Sequence, residues 1–85
     1  MSSLSVKVVT RSGELFSGQA RFVSLPTTEG SLGILPGHLP FLGTITAGKV
    51  KVGMKENDPD ARVFEVVPGF VSVDDDRVTI VVDGL

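Results

Sequence analysis

Glycine and proline interrupt this chain so often that long helices have little room. The 85 residues include 10 Gly and 5 Pro. The longest segment free of both, residues 70–83, consists largely of valine and a run of three aspartates. The β-branched residues Val, Ile and Thr number 23, and these types favour extended backbone. The sequence therefore predicts an all-β fold.

Period-two alternation predicts where the strands lie. Apolar side chains occupy positions 78, 80 and 82 of RVTIVVD (residues 77–83), and KVKV (residues 49–52) alternates throughout. The predicted strands include residues 5–10, 14–17, 21–25, 49–53, 61–67, 70–73 and 77–83, and residues 26–40 are the one irregular region. About eight to ten short, mostly antiparallel strands with frequent turns indicate a two-layer β-sandwich.

Composition excludes several classes of protein. With 41% hydrophobic and 21% charged residues, the chain can build a core, and its length suits a single domain spanning residues 1–85. A net charge of −2 with scattered basic residues argues against a nucleic-acid partner. Without cysteine, and with one histidine, no disulfide framework or multi-histidine metal cage is expected. We expect no transmembrane segment, no signal peptide and no cofactor.

Two segments imitate ligand sites. GTITAGKV (residues 43–50) has the spacing of a phosphate-binding loop, but Val50 replaces the required hydroxyl and an alternating strand replaces the helix. We predict a strand-turn-strand there. The run Asp74, Asp75 and Asp76 lies between two valine-rich strands, where three consecutive carboxylates cannot all converge on calcium. A solvated turn is predicted instead.

Two single residues leave alternatives open. His38 has no cysteine partner and no nucleophile-elbow serine nearby, so it is interpreted as a structural or interface histidine rather than a catalytic one. Lys55 follows Met54 in a predicted hairpin loop, as the modified lysine does in biotinyl and lipoyl carrier domains. Glu56 stands where the biotinyl pattern has its second methionine. A carrier domain modified at Lys55 is the alternative function.

The segment TEGSLGILPGHLP (residues 28–40) closely resembles the signature of the epsilon subunit of the rotary, proton-translocating ATP synthase. The resemblance continues along the chain, in order. LSVKVVT (residues 4–10) with GELFSG (13–18) is similar to the family's first hairpin, and FVSLP (22–26) to its third strand. PGFVSV (68–73) and VTIVVD (78–83) are similar to its closing strands.

The resemblance implies the N-terminal β-sandwich domain of a non-catalytic rotor subunit. Such a subunit lies in the central stalk, binds the gamma subunit and the polar loops of the c ring, and couples proton transport to ATP synthesis. It also implies a peripheral subunit at the cytoplasmic face of a bacterial plasma membrane. Family members continue into a C-terminal helical hairpin, whereas this sequence stops at Leu85. We therefore expect neither the inhibitory arm nor its nucleotide site.

The same resemblance implies two sets of site residues. The loop facing the c ring comprises Glu29, Gly30, Ser31, Leu32 and Gly33. The gamma-facing set comprises Thr10, His38, Leu39, Pro40, Phe41, Leu42 and Gly43. An acidic residue is common in the family near position 31, so Ser31 weakens the expected charge at the ring contact. Alternation in a strand predicts that Phe41 and Leu42 point to opposite faces, with Leu39 sharing the face of Phe41.

Overall fold

A computed structural model describes residues 2–66 and 68–83 of the chain. Within these residues no helix occurs, and nine strands follow one another. They are β1 (Leu4–Thr10), β2 (Gly13–Ala20), β3 (Phe22–Thr27), β4 (Gly30–Ile34), β5 (Phe41–Ile45), β6 (Gly48–Gly53), β7 (Arg62–Val66), β8 (Gly69–Asp74) and β9 (Arg77–Val82). The predicted all-β fold is confirmed, with a strand count inside the predicted range.

The strands form one curled sheet that folds back on itself as a sandwich-like domain. The hydrogen-bonded order is β2-β1-β9-β8-β5-β3-β6-β7, with β4 paired to β3. The link between β5 and β3 is a single pair, Thr27 with Ile45. This narrow link divides the molecule into a five-stranded layer, β2-β1-β9-β8-β5, and a four-stranded layer, β4-β3-β6-β7. All pairs are antiparallel except β1 with β9, which is parallel.

The core lies between the two layers and is made by alternate residues of each strand. In β9 the buried residues are Val78, Ile80 and Val82, as the alternation predicts. The others are Leu4, Val6, Val8, Ala20, Val23, Leu25, Ile34, Ile45, Val50, Val52, Val71 and Val73. Among the described residues no polar side chain is buried. Burial of apolar area by β-branched side chains therefore provides the main stabilisation.

The strand β4 lies in the region that we predicted to be irregular, so that prediction is wrong for residues 30–34. Leu32 and Ile34 point inward, but Gly30 and Gly33 contribute no side chain to the pattern, which hides the alternation. The preceding strand β3 extends through Pro26 to Thr27. Proline is tolerated there because its carbonyl oxygen accepts the Thr46 N–H at 3.1 Å and no donor is needed.

Aromatic contacts link the free edges of β2 and β7. The rings of Phe16 and Phe64 meet edge to face, with centroids 6.0 Å apart. The Arg62 guanidinium lies 5.5 Å from the centroid of each ring. These contacts join the two layers on the side opposite the β3–β5 link, where no backbone pairing holds them.

The register defines two opposite ends of the sandwich. The Thr10 end contains the turns at residues 10–13 and 27–30. A row of residues paired from strand to strand crosses the sheet at this end and consists of Val82, Gly69, Ile45 and Thr27. The His38 end contains the loop at residues 35–40 and the turn at residues 74–77. At this end Arg77 pairs with Ser5 of β1 on one side and with Asp74 of β8 on the other. Along β9, the row of Arg77 and the row of Val81 are roughly 13 Å apart at about 3.3 Å per residue.

Candidate partner-binding surfaces

The turn at residues 27–30 displays Glu29 at the Thr10 end. The Thr27 hydroxyl oxygen accepts the Glu29 N–H at 3.1 Å and donates to the Gly30 carbonyl oxygen at 2.7 Å. Gly30 has a φ of 117°, which a side chain would strain. These bonds fix the turn while the carboxylate of Glu29 stays exposed to solvent.

A second turn of the same construction follows β1. The Thr10 hydroxyl accepts the Ser12 N–H at 3.1 Å and donates to the Gly13 carbonyl oxygen at 3.3 Å. Both turns therefore follow the pattern Thr-x-x-Gly, in which the threonine side chain closes the hairpin. Sequence reasoning missed this role of Thr27, although the repeated pattern was visible in the sequence.

The residues predicted to face the c ring differ in secondary structure and exposure. Only Glu29 lies in a turn; Gly30, Ser31, Leu32 and Gly33 belong to β4 and are not a loop as predicted. Leu32 is partly buried and packs against the core. Glu29 and Ser31 remain as exposed polar side chains of this set, and Thr28 beside them is also exposed.

The loop at residues 35–40 contains the turn Leu35-Pro36-Gly37-His38. The His38 N–H donates to the Leu35 carbonyl oxygen at 3.1 Å, and Gly37 has a φ of 88°. Proline followed by glycine at the two central positions suits a type II turn. The His38 Nδ1 donates to the Leu39 carbonyl oxygen at 2.7 Å, and its ring meets Phe41 edge to face at 6.2 Å. His38 therefore orders the loop.

The residues of β5 that were predicted to face gamma divide between the two faces of the strand. Phe41 packs against the core, whereas Leu42 is 76% exposed, as predicted. Gly43 lies beneath the ring of Phe41. The prediction for Leu39 is wrong: it precedes the strand, as Pro40 does, and it is 78% exposed. Strand alternation does not reach Leu39, so it resembles Leu42 and not Phe41.

Thr10 lies at the opposite end of the sandwich from His38, Leu39 and Pro40. The structure does not bring these predicted residues together into one compact patch. Exposed apolar residues nevertheless lie between them on the outer face of the five-stranded layer. Phe70 pairs with Val81, which in turn pairs with Val9 beside Thr10. Leu42 lies diagonally across from Phe70, because its direct partner is Ser72.

We call Leu42, Phe70 and Val81 the apolar stripe. Phe70 is 60% exposed and Val81 is 45% exposed, so both are accessible to a partner. Sequence reasoning missed these two residues and Leu35, although the alternation in FVSV (residues 70–73) places Phe70 opposite the buried Val71. The stripe runs from the His38 end of β5 towards the Thr10 end of β1.

Two segments resemble other kinds of site in sequence: residues 43–50 a phosphate-binding loop, and the region of Lys55 a carrier domain. Both form ordinary strands and loops. Residues 43–50 form the end of β5, a bend and the start of β6, as predicted, and Lys49 pairs with Glu65 across β6 and β7. Lys55 is the second residue of the long loop after β6, and its carbonyl oxygen accepts the Asp58 N–H at 3.2 Å. It does not occupy the tip of a tight hairpin turn, which the carrier-domain alternative requires.

Groups of metal-ligating side chains and helices that suit a membrane are both absent from the described part of the chain. Between residues 2 and 66 and between 68 and 83, no three potential metal-ligating side chains of His, Asp or Glu come together. None of these residues forms a helix that is long and apolar enough to cross a membrane.

Two solved assemblies contain chains with a similar fold. A chain of the Euglena gracilis mitochondrial ATP synthase, in a structure of its OSCP, F1 and c-ring, aligns with a TM-score of 0.84 and 18% identity. That alignment covers 96% of this chain and 51% of the Euglena chain. A chain of the Tetrahymena thermophila mitochondrial ATP synthase, from its central stalk and c-ring, aligns with a TM-score of 0.76 and 21% identity. It covers 94% of this chain and 63% of the other.

The family comparison agrees with the resemblance found in the sequence. The model of the β-sandwich domain of the ATP synthase delta/epsilon chain matches residues 3–85, nearly the whole sequence. The protein spans between about half and two thirds of the two solved chains that it matches. The chain belongs to the ATP synthase delta/epsilon chain family, whose β-sandwich domain it forms.

Proposed function

We propose that this chain acts as a non-catalytic rotor subunit in the central stalk of an ATP synthase. The observation that carries the proposal is the family match over residues 3–85. In this role it would bind the gamma subunit and the c ring and help to couple proton transport to ATP synthesis. It would be a peripheral subunit at the cytoplasmic face of a bacterial plasma membrane. A sandwich whose core is closely packed with β-branched side chains has the low compressibility that an element under torque requires.

The gamma subunit would lie along the apolar stripe. Leu39 and Leu42 are more than three-quarters exposed, and Phe70 and Val81 continue the same surface towards Thr10. Exposed apolar groups in a row commonly mark a protein interface. A partner that followed this diagonal would contact both Thr10 and His38, although they lie at opposite ends of the sandwich.

The c ring would contact the turn at residues 27–30. Glu29 is exposed at its tip, and the hydrogen bonds of Thr27 fix the backbone around it. Thr28 and Ser31 add exposed hydroxyl groups. This assignment gives the two partners different surfaces: a polar turn for the ring and an apolar face for gamma.

The test is the affinity for the gamma subunit, measured by isothermal titration calorimetry with purified proteins. Leu39→Ala, Leu42→Ala and Phe70→Ala should each weaken binding by about 1–3 kcal/mol, as truncation of an interface anchor does. Chemical denaturation should show little change in their stability. The matched control is Val63→Ala, which removes an exposed apolar side chain from β7 in the other layer.

Within β5, truncation of Phe41 should affect stability, whereas truncation of Leu42 should affect binding. Phe41→Ala should reduce the free energy of unfolding by about 3 kcal/mol, because the ring packs against the core. If the three stripe and loop variants bind gamma as tightly as Val63→Ala does, the proposed gamma surface is wrong. If unaltered protein does not bind gamma at all, the proposed function itself fails.

A further inference from the structure

The turn between β8 and β9 has an unusual backbone. Asp75 and Asp76 have φ values of 52° and 60°, in the left-handed region that glycine tolerates best. Two successive left-handed residues characterise a type I′ hairpin turn, where Asn-Gly is the preferred sequence. Glycine at either position would remove the strain, so the turn alone does not explain why Asp76 carries a side chain.

Asp76 joins three separate segments at the His38 end. Its carboxylate Oδ1 accepts the Gly37 N–H at 2.8 Å, across 39 residues of sequence. Its carbonyl oxygen accepts the Ser5 N–H, also at 2.8 Å. Asp75, its neighbour in the turn, is exposed and makes neither contact. A side chain at position 76 therefore does what glycine could not do: it binds the loop at residues 35–40.

That loop carries Leu39 and leads directly into Leu42. Between β4 and β5 the chain runs from Leu35 to Pro40 without strand pairing. Its internal bonds are the Leu35–His38 turn and the His38 contact with Leu39. The Gly37 bond to Asp76 is a side-chain bond that ties this loop to the five-stranded layer. This bond fixes the Gly37 backbone against the turn between β8 and β9.

We infer that Asp76 is a positioning residue, held in a strained conformation so that its carboxylate fixes the 35–40 loop for partner binding. We call the hydrogen bond between Asp76 and Gly37 the clamp, and it is seen in the structure itself. Its consequence for gamma binding rests on the proposed function. A strained residue that the surrounding structure maintains is frequently one that serves a function. Here the left-handed Asp76 places a carboxylate oxygen on the Gly37 amide, a contact that glycine at this position could not make.

Three variants distinguish the effect of losing the Asp76–Gly37 hydrogen bond from the effect of relieving the backbone strain. Asp76→Gly relieves the strain and removes the acceptor. Asp75→Gly relieves similar strain and leaves the acceptor in place, which makes it the matched control. Asp76→Asn retains an oxygen acceptor and tolerates the left-handed conformation, so it should restore the contact.

The first measurement is amide hydrogen exchange of Gly37 in the isolated chain by nuclear magnetic resonance. Asp76→Gly should accelerate exchange by about tenfold or more relative to Asp75→Gly, which corresponds to losing a hydrogen bond to a charged group. Asp76→Asn should stay close to the unaltered protein. Equal exchange in Asp76→Gly and Asp75→Gly would overturn the inference, as would an Asp76→Asn variant that behaves like Asp76→Gly.

The second measurement is the affinity for gamma of the same variants. Asp76→Gly should bind about fivefold to tenfold more weakly than Asp75→Gly, as expected when binding must also order a loop. An unchanged affinity together with faster exchange would show that the clamp has no role in binding and overturn that part of the inference. Absence of gamma binding by the unaltered protein would instead refute the proposed function, and Gly37 exchange would still report the clamp.

Discussion

Three of the five phenylalanine rings lie over a glycine within the sheets. An added Cβ would lie 3.2 Å from Phe16 at Gly18, 3.3 Å from Phe22 at Gly33 and 2.6 Å from Phe41 at Gly43. Glycine in a strand normally weakens it, and an aromatic ring that covers it restores apolar contact. These glycines therefore belong to strands, and sequence reasoning that treated Gly18 as a strand end was wrong for that reason.

Gly69 is constrained differently, because backbone atoms surround the place where a side chain would be. A Cβ there would overlap the Val81 carbonyl oxygen and lie 2.7 Å from the Val82 Cα. Gly69 and Val82 form the terminal pair of β8 and β9, and their backbones can separate to admit a side chain only by breaking that pair. We expect Gly69→Ala to lower the free energy of unfolding by about 3 kcal/mol, measured by chemical denaturation.

The control for this prediction is Gly33→Ala. Its nearest neighbours are atoms of the Phe22 ring at 3.3 and 3.4 Å, and a side chain can shift by a few tenths of an ångström. The cost should stay below about 1 kcal/mol. Equal denaturation midpoints for the two variants would show that the β8–β9 pair tolerates a side chain at position 69.

At the scale of single elements, a strand could be predicted only where its side chains show a clear alternation of apolar and polar residues. The strands β6 and β9 could be predicted because alternate valines and charged or polar residues record which face is buried. Strand β4 could not, since two of its five residues are glycines. Leu39 was misplaced because proline at position 40 separates it from the strand, and alternation has meaning only inside a strand.

The long loop between β6 and β7 depends on one carboxylate. Asp58 accepts the Met54 N–H through Oδ2 and the Asp60 N–H through Oδ1, both at 2.9 Å. These hydrogen bonds hold the pKa of Asp58 below its ordinary value of 3.8. The sequence predicted a polar turn here, and the structure adds the residue that organises it.

This lowered pKa predicts how the loop responds to pH. A group whose pKa is lower in the folded protein contributes stability above its unfolded value and loses that contribution as pH falls through the folded value. The stability advantage of the unaltered protein over Asp58→Asn should therefore be constant above about pH 5 and disappear as pH falls below the ordinary value of 3.8. Denaturation curves across this range measure it, with Asp60→Asn as the control. A difference that does not change with pH would contradict the assigned hydrogen bonds.

At the scale of the whole molecule, the sequence predicted the fold class and the family, but not where the predicted site residues lie relative to one another. The strand β1 pairs in parallel with β9, which is far from it in the sequence. No local sequence pattern shows that two such distant strands pair. For the same reason, the separation of Thr10 from His38 was not predictable. It depends on the register of four strands, β1, β9, β8 and β5, which only the assembled sheet defines.

The central claim is that two different surfaces of this domain meet two different partners in the rotor. The chain contains no cysteine, so single introduced cysteines give site-specific cross-links without background from the chain itself. Glu29→Cys would probe the turn at the Thr10 end, Leu42→Cys the apolar stripe, and Val63→Cys the exposed face of β7 as a control.

The decisive measurement is cross-linking of these variants, labelled with a photoactivated maleimide, in assembled ATP synthase, with mass spectrometry to identify the products. The account predicts that Glu29→Cys cross-links to the c subunit, Leu42→Cys to gamma, and Val63→Cys to neither. It would be contradicted if Leu42→Cys and Val63→Cys gave the same products, or if Glu29→Cys reacted with gamma and not with the c subunit.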